Sequence, residues 1–268
     1  MTAPTPTIYT DMLPVRFDAP LLNPAPNGLF AATQWADETG PLRWLDSGVE
    51  VRSAGNYGGE DASGVWDAEW CPPPDPATVG QRKEGDRPDN LDPFAPMTVW
   101  AYDQCDLTAP SQAEVRQRAQ QILRLQEQTA VEREFAARLL TEAAALPGGI
   151  ETAVTLRLAV GYIEGVLAQT NTTGFIHVGA QWVATDPDLF KRNGAVLKSP
   201  GGHTVVVGGG YVDGLGDTLV ATSQPYGWRD QPTLRKAIDE RHNTFAAIAE
   251  RSFVVGVEAV VAAVTVTP

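Results

Sequence analysis

The sequence predicts an α+β fold rather than a doubly wound parallel sheet. One observation is an uninterrupted helical run, residues 111–145, which contains no Gly or Pro and is rich in strong helix formers. Another is a set of Val-, Ala- and Thr-rich strand segments near the carboxyl end of the chain. The elements follow one another as an arm, a hairpin, the long helix, a mixed region and terminal strands. Strands and helices therefore do not alternate as repeated βαβ units would require.

The first 45 residues hold scattered prolines and show little hydrophobic periodicity. Such a segment cannot bury enough surface to fold by itself. We expect 1–45 to be an extended arm, which is either disordered or laid along a partner.

Residues 46–94 begin with a strand-like alternation that places Val49 and Val51 on one face. A glycine-rich connection leads to a second strand-like segment, Val65–Trp70, and a long polar stretch follows. The pattern predicts a two-stranded projection with an irregular tip. Because long loops without secondary structure are uncommon in compact domains, we expect this one to be functional or bound to a partner.

The helix predicted over 111–145 is roughly 50 Å long at 1.5 Å per residue. Ser111 and Glu114 match a capping box at its start, and Pro147-Gly148-Gly149 ends it.

The apolar residues of this helix form two faces about half a circle apart. The first consists of Val115, Ala119 and Ile122, and the second of Val131, Phe135 and Leu139. Polar residues 126–129 lie between them. A coiled coil would keep one continuous seam, so we expect the two halves to pack against different parts of the molecule.

Beyond Gly149 the pattern predicts further helices and strands. A second helix is predicted over Ile150–Gln169, with Val154, Leu158, Gly161, Tyr162 and Val166 near helical spacing. The other predicted elements are a strand at Phe175–Val178, a helical turn at Asp186–Arg192, strands at His203–Gly208 and Thr218–Thr222, a loop-like segment at Trp228–Glu240, and strands at Asn243–Val255 and Glu258–Thr267.

The composition bounds the class of protein. The 268 residues suffice for one large or two modest domains, and the 43% hydrophobic content supports a core. A net charge of −13 argues against broad binding to nucleic acid or anionic membranes, because phosphate contacts need Lys and Arg. The chain has no run of 18 apolar residues, so we expect no transmembrane helix. Its first residues lack the basic and apolar regions of a signal peptide.

The residues that could carry chemistry are few. Cys71 and Cys105 lack metal-ligand spacing, and buried free thiols are expected, with one disulfide as the alternative. His177 and His203 lie on different predicted strands without suitably spaced carboxylates, so we expect neither a metal nor a cofactor. No G-x-S-x-G, H-E-x-x-H or Walker lysine motif is present. The glycine cluster 208–216 joins two predicted strands and is interpreted as a hairpin turn.

A spacing near the carboxyl end adds to this layout. In the segment NTFAAIAER, Asn243 and Glu250 lie seven residues apart, and Arg251 follows. Seven strand residues span roughly 23 Å, so these side chains cannot meet within one straight strand.

With this segment and this order of elements, the chain resembles the major capsid proteins of tailed bacteriophages. They have the Hong Kong 97-type fold, which encapsulin shells share. The resemblance covers nearly the whole chain in element order and is weak in residue identity. It implies an N-terminal arm at 1–45, an extended loop at 46–94, a peripheral domain with a spine helix at 95–147, an axial domain at 148–235 and returning strands at 236–268.

Some members of this family join their subunits through isopeptide bonds. By that resemblance, Asn243 is the acceptor, Glu250 the base and Lys83, in the extended loop, the nucleophile. A carboxylate is needed because an ammonium is not a nucleophile. We expect Phe245, Ile248 and Phe253 to provide apolar surroundings that raise the pKa of Glu250.

The resemblance implies a structural protein, not an enzyme, apart from autocatalytic cross-linking. Its subunits would form hexamers and pentamers of an icosahedral head around double-stranded DNA, held without sequence-specific contacts. Scaffolding, portal and decoration proteins are the other expected partners, and no membrane is involved. Assembly would take place in the bacterial host cytoplasm, and the product would be the virion. The alternatives are an encapsulin shell, or a soluble α+β enzyme or sugar-binding domain with a site near 208–216, His177, His203 and Trp228.

Overall fold

The computed structural model describes residues 15, 17–37, 46–57, 62–66, 69–71, 73, 75, 77–78, 83–87, 89–194 and 196–267. These residues form two sheets joined by one long helix. The helices are α1 Leu29–Ala32, α2 Ala109–Ala144, α3 Leu156–Gln169, α4 Ala180–Thr185 and α5 Tyr211–Gly214. The strands are β1 Gln34–Asp37, β2 Met97–Asp106, β3 Glu151–Ala153, β4 Phe175–Gly179, β5 Lys191–Asn193, β6 Val196–Lys198, β7 Thr204–Gly208, β8 Thr218–Thr222, β9 Tyr226–Arg229, β10 Thr233–Asp239, β11 Thr244–Gly256 and β12 Val260–Val266.

The first sheet is built around β11, which has neighbours along both edges. β2 runs antiparallel to it on one edge, while β9 and β10 follow one another along the other. β1 adds in parallel to β9. Alternate residues of β11, among them Phe245, Ala247 and Ala249, are buried under α2, as expected for side chains that alternate between two faces.

The second sheet has seven strands in the order β3-β12-β8-β4-β7-β6-β5. Helix α3 packs on it through Leu156, Val160, Ile163 and Leu167, all of which are buried. β11 and β12 follow one another in the chain but belong to different sheets, so the chain changes sheet at residues 257–259. The predicted domain boundaries at 45, 94, 147 and 235 stay predictions.

The long helix is confirmed, although its start differs from the prediction. α2 begins two residues before Ser111, with Thr108 as N-cap and a proline in its first turn. The capping box is wrong, because no side chain caps the N-terminus and Ser111 contacts the Thr108 hydroxyl instead. Pro110 needs no N–H partner at this position, which explains how the helix extends past the predicted start.

The two halves of α2 do pack against different structures. Val115, Ala119 and Leu123 contact the first sheet, whereas Phe135 and its neighbours pack in a core shared with β7, β8, β11 and β12. The expected burial of Ile122 is wrong, since its side chain is 37% exposed and Leu123 is buried. The sheet lies on the side of the helix to which Leu123 points.

The prediction of one helix over 150–169 is wrong in its first third. Residues 151–153 form β3, which pairs in parallel with β12, and Thr155 then caps α3 by accepting the Leu158 N–H. Most of the apolar residues noted at helical spacing do not face the core, because Val154, Leu158 and Tyr162 are exposed and Val166 alone among the apolar ones is partly buried.

Three further predictions are corrected by tertiary pairing. The helical turn expected at Asp186–Arg192 is shorter than predicted: the Leu189 N–H closes one turn on the Asp186 carbonyl after α4, and Lys191 already begins β5. The loop expected at 228–240 contains the second half of β9 and all of β10, and both strands pair with β11. The glycine cluster is not a hairpin turn, because β4 lies between β7 and β8 and α5 lies within the connection.

The amino-terminal segment and the loop differ in part from expectation. The structure describes none of residues 1–14, but α1 and β1 pack on the rest of the molecule, and Leu29 is fully buried.

The extended loop shows less strand structure than predicted. Val49 pairs with Phe94 as an antiparallel bridge, and the described residues between them form no other strand. Asp67 and Ala68 of the second predicted strand lie outside the described residues. Cys71 and Cys105 are free thiols, but both are exposed, so their expected burial is wrong.

Candidate functional site

A row of polar side chains on α2 holds the amino-terminal segment. The row consists of Gln121, Arg124, Gln128 and Glu132, whose spacing of three or four residues places them on one helix face. Gln121 Nε2 donates to the Leu22 carbonyl at 2.8 Å, and Gln128 Nε2 donates to the Asn27 carbonyl at 2.9 Å. Arg124 contacts the Asn23 side-chain oxygen.

Some of the polar residues of α2 that do not belong to its two apolar faces therefore bind the amino-terminal segment. Most of these contacts are made with main-chain atoms of residues 22–29, so a proline-rich segment without a core of its own can bind there. The side chains of Val15, Phe17, Leu21 and Leu22 are exposed.

Glu132 ends this row and is fully buried. Its Oε1 accepts the Leu29 N–H and its Oε2 the Gly210 N–H, both at 2.9 Å. Burial raises the pKa of this carboxyl, and N–H donors from Leu29, Gly210 and Gly209 offset part of the rise. No local pattern in the sequence indicates the burial of Glu132, because an acidic side chain on a long helix is normally solvent-exposed.

The glycine cluster packs against α2 beside Glu132. A Cβ on Gly208 would lie 2.8 Å from the Glu132 carboxyl carbon, and one on Gly214 would lie 2.6 Å from the Ala136 Cβ. These glycines permit the close approach of the β7–β8 connection to the helix.

His177 belongs to a buried polar network in the same core. Thr222 donates its hydroxyl proton to the Ser223 carbonyl, so His177 Nε2 donates to Thr222 Oγ1 and Nδ1 accepts from the Tyr211 hydroxyl, both at 2.9 Å. Burial lowers the His177 pKa to about 3. His177 is thus a neutral core residue, and its burial excludes it from an open ligand site.

The remaining residues of the alternative enzyme or sugar site do not complete one. His203 is buried and accepts the Gly174 N–H at Nδ1, and Trp228 lies in the first sheet. Within the described ranges, no group of three or more His, Cys, Asp or Glu side chains is placed to hold a metal ion.

The base of the extended loop is fixed on the connection between the two sheets. Glu258, in that connection, accepts hydrogen bonds from the Ala54 and Asn56 N–H groups and from the Ser53 and Asn56 side chains, at 2.8–3.2 Å. Burial is the largest single influence on Glu258 and raises its pKa, but the hydrogen bonds from Asn56, Ala54 and Ser53 together outweigh it, so the net pKa is lowered.

The residues predicted to form a cross-link lie in three different settings. Lys83 Nζ lies 4.7 Å from the centre of the Trp66 ring of its own loop. Asn243 precedes β11 in a left-handed conformation with φ 51°. Glu250 lies within β11, and its Oε1 is 2.6 Å from Arg235 Nη2.

The surroundings expected for Glu250 are only partly present. By strand alternation, Phe245 and Phe253 point to the face covered by α2, whereas Glu250 and Ile248 point to the opposite face. The expectation that both phenylalanines surround Glu250 is therefore wrong. Trp100 and Tyr102 of β2 lie on the same outer face as Glu250 and are 66% and 43% exposed.

No protein-family model matches this sequence. No curated protein matches it either. Solved structures do match the fold: the mature capsid of bacteriophage PhiM1 aligns with a TM-score of 0.53 and 11% identity, over 97% of this chain and 92% of that chain. This chain has the Hong Kong 97-type fold.

Other structures align with the Hong Kong 97-type chain as well. A structure from Microbacterium phage Oxtober96 gives a TM-score of 0.51 and 10% identity, over 97% of this chain and 96% of that chain. The holo-SrpI encapsulin of Synechococcus elongatus aligns over 66% of this chain and 77% of that chain, with a TM-score of 0.44 and 10% identity. None of the helices in the described part of the chain combines the length and apolar composition that crossing a membrane needs.

Proposed function

We propose that this protein is a structural subunit of the icosahedral head shell of a tailed bacteriophage. The observation that carries the proposal is the alignment with the PhiM1 mature capsid over 97% of the chain. The resemblance drawn from the order of the sequence elements points to the same family. In this proposal the protein is not an enzyme, apart from autocatalytic cross-linking to other copies of the chain.

The distribution of apolar side chains supports a role in assembly. Val65 and Trp70 of the extended loop are 88% exposed and fully exposed, and Trp100 and Tyr102 form an apolar surface on the first sheet. A single copy leaves these side chains in water, whereas contact between copies would bury them. Apolar surface of this kind is typical of interaction sites.

The partners follow from the shell. Copies of this chain would form hexamers and pentamers, with scaffolding, portal and decoration proteins as further partners. The net charge of −13 fits DNA that is confined without sequence-specific contacts. Assembly in the cytoplasm of a bacterial host and residence in the virion are part of the same proposal.

Electron microscopy and size-exclusion chromatography of the purified full chain test the shell. We expect closed particles. A discrete monomer or dimer under assembly conditions would contradict the proposal, and particles that carry a co-purified enzyme instead of DNA would favour an encapsulin.

Two loop variants separate assembly from folding. Val65→Ser and Trp70→Ser remove side chains that are almost fully exposed, so the stability of the single chain should stay unchanged. We expect both to reduce particle yield, while Glu69→Gln, an exposed neighbour, should assemble as the wild type does. Unchanged yield in both serine variants would remove the loop from the interface.

We also propose the cross-link between Lys83 and Asn243 of different copies, with Glu250 as base. Lys83 Nζ would attack the Asn243 side-chain carbonyl carbon, forming a C–N amide bond while the carbon–nitrogen bond to the amide nitrogen breaks and ammonia leaves. Glu250 would take the proton from Lys83 and pass it to the leaving nitrogen. This requires Glu250 to exchange Arg235 for the incoming lysine.

A denaturing gel of assembled particles tests this cross-link. We expect covalent multimers in the wild type, and their loss in Lys83→Arg and Asn243→Asp without loss of particles. A single monomer band from wild-type particles would rule out the cross-link and leave the shell proposal intact.

A further inference from the structure

The sequence contains two asparagines that are each followed by glycine, Asn27-Gly28 and Asn193-Gly194. In such a pair the backbone nitrogen of the glycine can approach the side-chain amide carbon of the asparagine, because glycine has no side chain to hinder the approach. The two dipeptides are identical in sequence, so their surroundings in the folded chain decide whether they react differently.

Asn193 and Gly194 lie at the end of an exposed hairpin. Asn193 is the last residue of β5, Gly194 follows it in the turn to β6, and both are exposed. Gly194 has a left-handed backbone with φ 61°, and a Cβ added to it would meet no atom within 4 Å. Among the described strands, the edge strand β5 pairs with β6 alone, at positions 191–198, 192–197 and 193–196. So short a pairing at a sheet edge opens at low free energy, and Asn193 can then leave the strand conformation.

Asn27 and Gly28, by contrast, are held against α2. The Asn27 carbonyl accepts a hydrogen bond from Gln128 Nε2 at 2.9 Å, and the N–H of the following Leu29 is bound by Glu132. Gly28 is buried, and a Cβ added to it would lie 2.6 Å from Glu132 Oε1. An attack by the Gly28 nitrogen on the Asn27 side chain needs rotation of the backbone between them, so this segment must leave the helix first.

We propose that Asn193 is a site of spontaneous covalent modification, at which the Gly194 backbone nitrogen converts the asparagine to aspartate or isoaspartate. Water is the only co-reactant, so no enzyme or cofactor is required. The modification is a property of the folded single chain and does not depend on the proposed shell.

The reaction proceeds through a cyclic imide. The Gly194 nitrogen gives its proton to hydroxide and attacks the Asn193 side-chain carbon Cγ, so that a new carbon–nitrogen bond forms. The bond from Cγ to Nδ2 breaks, and the leaving nitrogen takes a proton from water and departs as ammonia. Water then adds to one of the two imide carbonyls and opens the ring. Opening on one side gives aspartate, and opening on the other side gives isoaspartate.

The surroundings of Asn193 are cationic. Lys191, Arg192 and Lys198 lie in the same hairpin, and residues 189–212 contain no Asp or Glu. Lys191 shares a sheet face with Asn193 and pairs across the hairpin with Lys198. Their positive charge favours the negative charge that develops on the attacking nitrogen. The carboxylate that forms then offsets one positive charge of the hairpin and lessens the repulsion between the two lysines.

Incubation of the purified full chain at mildly alkaline pH, followed by proteolysis at acidic pH and mass spectrometry, tests the proposal. The peptide that contains Asn193 should gain the mass difference between NH2 and OH, at a rate that rises in proportion to the hydroxide concentration. The peptide that contains Asn27 should convert at least about tenfold more slowly, because its segment must first leave α2. In the denatured chain the two rates should agree within about twofold, since the dipeptides are the same.

Asn193→Gln and Asn27→Gln form a matched pair of variants. Isoaspartate is detected by transfer of a labelled methyl group from S-adenosylmethionine, with an isoaspartyl methyltransferase as reagent. Asn193→Gln should lose most of this signal, because glutamine would have to close a larger and less favourable ring. Asn27→Gln should keep the signal of the wild type.

An Asn193 peptide that stays unmodified in the folded chain while the denatured chain converts would overturn the proposal. Equal rates at Asn193 and Asn27 in the folded chain would also contradict it, as would an isoaspartate signal that persists in Asn193→Gln. None of these measurements uses particles, so failure to assemble would bear on the shell proposal alone.

Discussion

Gly210 lies so close to α2 that a Cβ added to it would sit 2.2 Å from the Thr129 carbonyl oxygen. The neighbouring Gly209 has room, because its nearest contact would be Thr129 Oγ1 at 3.6 Å. Within the β7–β8 connection, Gly210 therefore packs directly against the backbone of α2, whereas Gly209 leaves room for a side chain.

Gly210→Ala should therefore destabilise the protein by about 1–3 kcal/mol, since the overlap is with backbone that cannot rotate away. Gly209→Ala should stay within about 0.5 kcal/mol of the wild type. Chemical denaturation measures both free energies of unfolding. Equal values for the two variants would contradict the close packing of Gly210 on α2.

Leu123 and Ile122 distinguish the sheet-facing side of α2 from its solvent side. Leu123→Ala should cost about 2–5 kcal/mol, because its buried side chain packs under the first sheet. Ile122→Ala should cost about 1 kcal/mol or less. Thermal or chemical unfolding checks the pair, and a larger loss for Ile122 would reverse the assignment of the faces.

Acid should weaken the fold through His177. Its pKa is about 3 in the folded chain against an ordinary value of 6.5, so the unfolded chain binds a proton that the folded chain does not. The contribution of neutral His177 to the free energy of unfolding is fully present above about pH 6.5. It falls as the pH drops towards 3, by on the order of 5 kcal/mol in total.

His177→Gln isolates this effect, because glutamine does not titrate and still offers a donor and an acceptor. At neutral pH we expect the wild type to have the larger free energy of unfolding. As the pH falls, this advantage of the wild type over the variant should shrink or reverse. Glu132 contributes with the opposite sign in both proteins and cancels in this difference. Parallel pH curves would show that His177 is not kept neutral.

Glu258 should determine the order of the loop base. Glu258→Ala removes the acceptor of four hydrogen bonds from residues 53–56, so amide exchange at Ala54 and Asn56 should become about tenfold faster. Glu240→Ala, in the exposed turn before β11, should leave those amides unchanged. Equal exchange in the two variants would show that the loop base is held by other contacts, such as the pairing of Val49 with Phe94.

The sequence alone predicted the features that local chemistry dictates. A run without Gly or Pro predicted α2, and short apolar or Val-, Ala- and Thr-rich segments predicted β4, β7, β8 and most of β11. The two faces of α2 were also readable, because helical periodicity records which half of a helix meets which surface.

Features that depend on distant partners were not readable. Residues 151–153 were predicted to be helical and form β3 instead, because β12, from the end of the chain, pairs with them in parallel. The glycines of 208–214 suggested a turn, but their purpose is close approach to a helix that ends 64 residues earlier in the chain. Likewise, Leu158 and Tyr162 of α3 are exposed although their side chains are largely apolar, since the sheet lies on the other side of that helix.

The sequence by itself determined an α+β chain with one long helix, and its order of elements resembled the Hong Kong 97-type fold. The tertiary structure alone decided that Glu132 is buried and joins the arm to both α2 and the 208–210 turn, and that Glu250 faces Arg235. The physical reason is that burial and pairing of polar groups are set by which segments meet in space. Residues 29, 132 and 210 lie far apart in sequence, and no local pattern records that their polar atoms converge.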